Sequence, residues 1–283
     1  MNLQAWWGEL PQSAFVEQSY YRQPQSGRCS DEQQLALGSW STIEQILADE
    51  TADVMIVRSN ERYAGETPRT LASAQALAAE GYTLLVRHAE RQHPGIRQLA
   101  EAFRHDFGAP VDVHLYVTPP QSYGFSWHYD AEEVFILQTA GRKEYSLRKN
   151  TVNPWPIEET LPHDMQYERE IMPLMQCMLA PGDWLYIPSG WWHRAVAQTD
   201  DTAISLAIGV MARTGVDVFK TMREHVVNSM LWRQRMPVLG AASPLDAAQQ
   251  EAEVRRALKM LADDAAKHLT SNAFVADVLA RFR

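Results

Sequence analysis

The segment with the most chemical content is His128-Tyr129-Asp130. On an extended strand, side chains two apart face the same way. His128 and Asp130 can then both point into a barrel and offer one imidazole and one carboxylate to a metal ion. A third ligand from a separate strand would complete a two-histidine, one-carboxylate set. That geometry leaves three adjacent positions open and suits non-haem Fe(II) and oxygen chemistry. By itself His-x-Asp is a weak signal that arises by chance in many chains. Of the nine histidines, His193 is the best candidate for the third ligand. It follows Pro181-Gly182-Asp183, a strand over 185–187 and Pro188-Ser189-Gly190, and rigid punctuation of this kind places a side chain accurately. A lone histidine is more often a satisfied core or surface group, and that reading applies to His88, His93, His105, His163, His225 and His268. His114, on a strand near the proposed site, is ambiguous. Lys143, 15 residues after His128, is the second signal. A lysine aimed into a barrel is costly unless it meets an anion, and a dicarboxylate cosubstrate would supply one. With Arg142 and Glu144 as neighbours, a solvent-facing strand lysine fits the pattern as well. Tyr116 can add a phenolic hydrogen bond or simply pack.

These side chains need rigid elements to hold them. Over 111–118, Val111, Val113, Leu115 and Val117 alternate with Asp112, His114, Tyr116 and Thr118, the period of a half-buried strand. Residues 134–138 are a short apolar run, 139–142 a turn and 143–147 the returning strand. Further strands are predicted over 54–57, 82–86 and 203–211. A helix is predicted over 70–80, ended by Gly81. Another spans 94–107, opened by Pro94 and stopped by Gly108, with Ile96, Leu99, Ala100, Phe103 and Phe107 on its apolar side. Residues 150–173, with Pro154, Pro156, Pro162 and Pro173, read as a long, partly irregular connection. Many strands with turns and no alternating helices suggest an antiparallel barrel or jelly roll. After 213 the pattern turns helical: 218–232, then 245–269 with Val254, Leu258, Leu261, Ala265 and Leu269 on one side, then 274–282. Residues 240–244 break the pattern, and a domain boundary is placed near 213.

Composition narrows the function class. The chain has 283 residues, 46% hydrophobic and 22% charged, ordinary globular values that exclude disordered, collagen-like and disulfide-scaffold classes. It is long enough for one large domain or a core with a small appendage. No apolar run approaches the roughly 18 residues of a spanning helix. Residues 1–13, with Trp6, Trp7 and Glu9, lack a basic-then-apolar leader pattern. The expectation is a soluble cytoplasmic protein with no membrane association. Cys29 and Cys177 are too few for a zinc site, and a reducing compartment disfavours their pairing. The net charge is −9; residues 213–283 hold 11 basic and 8 acidic side chains, which leaves 15 and 27 in residues 1–212. An acidic main domain argues against direct nucleic-acid binding. It is compatible with a basic partner, or with solubility alone. Glu132 and Glu133 can attract a basic peptide or form a solvated rim. Tyr123, Phe125, Trp127, Trp191 and Trp192 can exclude water, grip a substrate or, as aromatics in small barrels often do, fill the core. The helices after 213 must bury their apolar sides on a second chain or back on the barrel.

The stretch VHLYVTPPQSYGFSWHYDAEEVFILQTAGRKEYSL, residues 113–147, resembles the JmjC family of 2-oxoglutarate oxygenases, and most closely its ribosomal-oxygenase, cupin-like branch. The shared elements are the LYVTPP strand and turn, the GF before HYD, the VFILQ strand and the GRK turn. PGDWLYIPSGWWH, ending at His193, resembles that branch's distal-histidine segment, and GYTLLVRHAERQHPGIRQLAEAF resembles the region ahead of its barrel. The resemblance spans roughly residues 80–212. It implies a mostly β fold with flanking helices, a double-stranded β-helix (jelly-roll/cupin, JmjC type), over 1–212, and a C-terminal helical dimerisation region over 213–283. It implies Fe(II) ligands at His128, Asp130 and His193, with 2-oxoglutarate and O2 as cosubstrates. Lys143 would pair with the far carboxylate of 2-oxoglutarate and Tyr116 would hydrogen-bond the same group; Ser205 would line the site. Three departures stand out. His114 occupies a position where these enzymes often have asparagine. Ser205 replaces a histidine. After the barrel there is room for the helices but not for the winged helix of the ribosomal enzymes. The implied activity is hydroxylation of an amino-acid side chain in a protein, ribosomal or otherwise basic, by a homodimer. Hydroxylation of a small molecule or natural-product peptide is the alternative, a non-catalytic metal-binding cupin is a third reading, and demethylation stays open.

Overall fold

The computed structural model describes residues 3–8, 11–163, 165–167, 171–198 and 200–282. Of the segment read for a leader, Met1, Asn2, Glu9 and Leu10 lie outside the described residues. The chain opens with α1 (Gln4–Trp7), α2 (Gln12–Gln18), β1 (Gln25–Arg28), α3 (Glu32–Ala36) and α4 (Trp40–Leu47). Next come β2 (Asp53–Arg58), β3 (Glu61–Arg62), α5 (Leu71–Ala79), β4 (Thr83–Arg87) and α6 (Pro94–Phe107). The central strands are β5 (Val111–Thr118), β6 (Glu133–Ala140), β7 (Lys143–Arg148), β8 (Met175–Leu179), β9 (Asp183–Ile187), β10 (Trp192–Ala197) and β11 (Ala203–Val210). The C-terminal helices are α7 (Gly215–Val226), α8 (Ala247–Leu269) and α9 (Asn272–Phe282). Local chemistry explains several of these bounds. Thr70 caps α5 through a capping box with Ser73. Pro94 stands at the start of α6, and Gly108, at φ +61°, ends it in the left-handed region open to glycine.

The strands pair antiparallel in two sheets. Eight run in the order β1-β9-β6-β11-β5-β4-β2-β3, and three in the order β10-β7-β8. The alternation read along 111–118 does the expected work: Val111, Val113, Leu115 and Val117 are buried on one face of β5. One face of the large sheet packs against α1 and α6, where Phe135 and Leu137 of β6 join Trp6, Leu99 and Phe103. The opposite face turns to the smaller sheet, where Val134, Ile136 and Ala207 meet Tyr145, Leu147 and Leu179. Successive residues of one strand therefore serve different layers, so a slip of one residue would exchange the two faces. Each fully buried large apolar side chain contributes about 1.5–3 kcal/mol to holding the layers together. β11, between β5 and β6, is buried along its whole length.

The sequence expectations need three corrections. The helix expected over 218–232 runs only over α7, because Thr214 and Asp217 form a capping box that starts it earlier, and it stops at Val226. Trp232 owes its place to a tertiary bond instead, its indole N–H donating to Asp264 of α8 at 2.8 Å. β1 carries no apolar alternation and was not expected. It forms because it pairs with β9 while Gly27 lies flat on Trp184, whose ring would be 2.7 Å from any Cβ there. The 139–142 turn is shorter than expected, since β6 continues to Ala140 and only Gly141, at φ +61°, and Arg142 link it to β7.

The chain divides into two compact units, Met1–Ala212 and Arg213–Arg283. Within the second, His225 bonds Asp277 at 2.7 Å, Arg281 bridges Glu224, and Phe274 is buried against His225 and His268. None of the residues of α8 is buried. Among the described residues no helix is long and apolar enough to cross a membrane. Cys29 and Cys177 are both free thiols.

Candidate active site

His128 and Asp130 do not converge for the reason expected. They lie on no regular strand; they sit in the loop between β5 and β6, and His128 is held by one isolated bridge to His193. The His128 amide donates to the His193 carbonyl at 3.1 Å, and the His193 amide returns the bond at 2.8 Å. The two imidazole centroids are 4.2 Å apart. Each ring is oriented by a carbonyl two residues back: His128 Nδ1 lies 2.8 Å from Ser126 O and His193 Nδ1 lies 3.0 Å from Trp191 O. A carbonyl only accepts, so each Nδ1 donates to it and each Nε2 is the nitrogen left for a metal. His193 Nε2 is 3.4 Å from Asp130 Oδ2. One donor atom from each of His128, Asp130 and His193 falls within 4.8 Å of the others. Burial first, and the neighbouring His128 second, push the His193 imidazole down to about 4, so it stays in the neutral, ligating form.

Two turns aim this cluster. In Pro188-Ser189-Gly190 the Gly190 amide donates to the Asp130 carbonyl at 2.9 Å. Gly190 adopts φ +78°, and a Cβ there would lie 2.8 Å from Pro156 Cδ and 2.9 Å from Pro154 O, so no other residue fits. On the other side Asn60, between β2 and β3, accepts the Ser126 amide on its Oδ1 at 2.7 Å, steadying the carbonyl that orients His128.

Lys143, the first residue of β7, points inward and is 3% exposed. The solvent-facing reading is therefore wrong: the residues that share its face of β7, Tyr145 and Leu147, are buried too. Its Nζ donates to Ser205 Oγ at 3.1 Å and lies 5.4 Å from the Tyr116 ring centroid. Ser205 is opposite Tyr116 in the β11–β5 ladder, so the three residues share one patch. Burial alone pushes the Lys143 ammonium down to about 7; among the described residues no carboxylate pairs with it. A cavity of about 280 Å³ joins this patch to the histidines, and its lining includes His128, Asp130, His193, Lys143, Tyr116 and Tyr145. Ser205 stands behind Lys143. Tyr145 was not foreseen, although it lies two residues from Lys143 on the same face and hydrogen-bonds Ser205.

The remaining candidates fall into place around this cavity. His114 lines it, but its Nδ1 accepts the His88 amide at 3.2 Å and its Nε2 lies 3.8 Å from Asp112. His88 is also 3.5 Å from Asp112, a satisfied group of the kind expected of it. Neither acid at 132–133 is a solvated rim residue. Glu132 lines the cavity and is pushed up to about 8 by burial and then by Asp112 and Asp130. Glu133 is 3% exposed and accepts a hydrogen bond from the Tyr186 hydroxyl. Of the five aromatics only Phe125 lines the cavity. Tyr123 lies under the Arg194 guanidinium, Trp127 stacks on Tyr167, and Trp192 meets the edge of Tyr129. Trp191 packs against the apolar cluster between the sheets. His105 is exposed beside Asp106, and His93 caps α6, so both fit the ordinary roles expected of them.

Residues 86–218 match the JmjC domain family. The bifunctional lysine-specific demethylase and histidyl-hydroxylase NO66 of Drosophila persimilis is 34% identical over 113 residues, 40% of this chain and 16% of that protein. Ribosomal oxygenase 1 of Homo sapiens is 31% identical over 145 residues, 50% of this chain and 22% of that protein. The chain therefore matches less than a quarter of the length of either relative. Among solved structures, YcfD, a ribosomal oxygenase from Escherichia coli in complex with cobalt and 2-oxoglutarate, superposes with a TM-score of 0.60 at 18% identity, covering 97% of this chain and 71% of that one. A likeness at that identity speaks for the fold: the two antiparallel sheets form the cupin-type double-stranded β-helix expected from the resemblance.

Proposed function

We propose, from the premise that residues 86–218 carry a JmjC domain, that the chain is an Fe(II)- and 2-oxoglutarate-dependent dioxygenase that hydroxylates an amino-acid side chain of a protein. The observation that carries this reading is a metal-ready His128, Asp130 and His193 cluster sharing one cavity with a buried Lys143 that pairs with no carboxylate among the described residues. Two imidazoles and one carboxylate fit Fe(II) in hardness and number, and would hold it with room left for a keto acid and O2. When bound, iron would activate O2 as the oxidant for C–H hydroxylation while 2-oxoglutarate is oxidised to succinate and carbon dioxide, one oxygen atom going to the substrate and the other to succinate.

The chain's own residues bind, orient and exclude water. Lys143 would meet the far carboxylate of 2-oxoglutarate, with Ser205 fixing its Nζ and the Tyr116 ring beside it. An ammonium buried without an anion is costly, and a cosubstrate that brings the anion removes that cost. No side chain needs to act as a general base. His114, engaged by His88 and Asp112, would shape the wall beside the cosubstrate rather than grip it.

Three features support the finer reading. Glu158 lines the cavity, and residues 1–212 are strongly acidic, so a basic side chain of a protein, ribosomal or otherwise, is the substrate with matching charge. The same charge disfavours direct nucleic-acid binding. Free Cys29 and Cys177 suit a reducing cytoplasm. In residues 213–283, α8 buries nothing and exposes Leu258 and Met260, which suits a homodimerisation role for that unit and a catalytic role for residues 1–212. Sedimentation equilibrium should give the mass of two chains, and one chain at all concentrations would reject the dimer.

The activity is tested without knowing the substrate. Anaerobic addition of Fe(II) and 2-oxoglutarate should produce the weak visible charge-transfer band of a chelated keto acid, and admission of air should bleach it with release of succinate. A colourless mixture, with both ligands shown to be in excess, would reject the assignment and favour a non-catalytic cupin.

A further inference from the structure

Glu133 is a buried carboxyl group for which the proposed chemistry has no use. It opens β6, is 3% exposed and lies three residues after Asp130. As a space-filling core residue a carboxyl is a poor choice, because burial without partners is expensive. Its partners explain its presence. The Val134–Ile187 pairing brings the start of β6 beside the point where the chain leaves β9. There the Glu133 carboxylate accepts the hydroxyl of Tyr186 and faces the backbone N–H of Ser189. The Tyr186 oxygen in turn accepts the Tyr21 amide at 2.8 Å, so both of its hydrogen-bonding roles are taken.

Ser189 is the middle of the turn that serves two of the candidate ligands. The next residue, Gly190, donates to the Asp130 carbonyl at 2.9 Å, and Ser189 Oγ approaches the same oxygen at 3.4 Å. The turn closes through the Trp191 amide onto Pro188 O at 3.1 Å, and the Trp191 carbonyl is the one that orients His193. We infer that Glu133 is a positioning residue: by holding the Ser189 amide it sets the 188–190 turn, and through that turn it sets Asp130 and His193 against each other. The inference rests on the metal-site reading above. It adds to that reading a carboxylate that never touches the metal and yet decides how well two ligands meet it.

Co(II) alone is the probe. Glu133→Gln keeps an acceptor for the Ser189 amide; Glu133→Leu keeps the volume and removes the acceptor. The expected result is a 10–100-fold loss of Co(II) affinity in Glu133→Leu, the range that loss of an outer partner costs a metal site, with altered visible ligand-field bands. Glu133→Gln should bind within about threefold of the unmodified chain, with its bands unchanged. A Glu133→Leu protein that is less heat-stable but binds Co(II) with the original affinity and spectrum overturns the inference, as does a Glu133→Gln protein as impaired as Glu133→Leu. Should Glu133→Leu fail to fold, Tyr186→Phe removes one anchor of the carboxylate at constant shape. It should weaken Co(II) several-fold, and unchanged binding overturns the inference. If the unmodified chain takes up no Co(II), the metal reading itself fails, an outcome distinct from equal binding by all variants.

Discussion

His193→Ala is expected to lower iron-stimulated turnover of 2-oxoglutarate by at least about a hundredfold, beyond the 10–100-fold that outer-shell changes cost, and to reduce bound metal in parallel. The substitution removes one of three donors from a site whose remaining pair, His128 and Asp130, cannot fill a face of the ion. The fold should survive it, because the bridge between positions 128 and 193 is made by backbone groups that alanine also carries. Metal content after dialysis, read with a thermal unfolding midpoint, separates the two effects. Full turnover in this variant, or in His128→Ala, would reject the ligand assignment.

Lys143→Ala is expected to weaken 2-oxoglutarate binding by about 2–5 kcal/mol, the cost of truncating one partner of a buried charge pair, or roughly 30- to 4,000-fold. Metal affinity should change little, since Lys143 bonds Ser205 and not a ligand. The pH dependence sharpens the test. Burial pushes Lys143 down to about 7, while in the unfolded chain a lysine titrates near 10.4. Between those values the unfolded chain holds the extra proton, so this residue makes the empty protein more stable as pH rises from about 7 towards 10. A dianionic cosubstrate prefers the protonated lysine, so its affinity should run the other way, falling by up to about tenfold per pH unit above about 7. Calorimetric titration of the metal-loaded protein with 2-oxoglutarate from pH 6.5 to 9 reads this directly. The slope should flatten in Lys143→Ala to what Glu132, at about 8 in the same cavity, contributes, and an unchanged affinity or an unchanged slope in that variant would remove Lys143 from the site.

What the residues announced on their own was whatever depends on neighbours close in the chain. The alternation over 111–118 specifies β5 because side chains two apart share a face. Pro94 and Gly108 bound α6 because one lacks an amide proton and the other tolerates the left-handed region. The types of the site residues, and their order along the chain, were legible as well. The way they meet was not. Strand alternation was expected to aim His128 and Asp130 together, whereas a bridge to a residue 65 positions away and a glycine turn wedged against Pro154 and Pro156 do so.

Lys143 and Glu133 mark the same divide. Each sits beside charged neighbours, Arg142 and Glu144 for one and Glu132 for the other, and each reads locally as a surface residue. Only the tertiary packing shows both to be 3% exposed, Lys143 between the two sheets and Glu133 on the helix-covered face of the larger one. Their partners, Ser205 and Tyr186, are 62 and 53 residues distant. Sequence alone determined which elements form and which donor atoms are available, because short-range sterics and capping act within a few residues. The tertiary structure alone decided which charges leave water and which donors face one another, because burial and convergence are properties of strands brought together from opposite ends of the barrel.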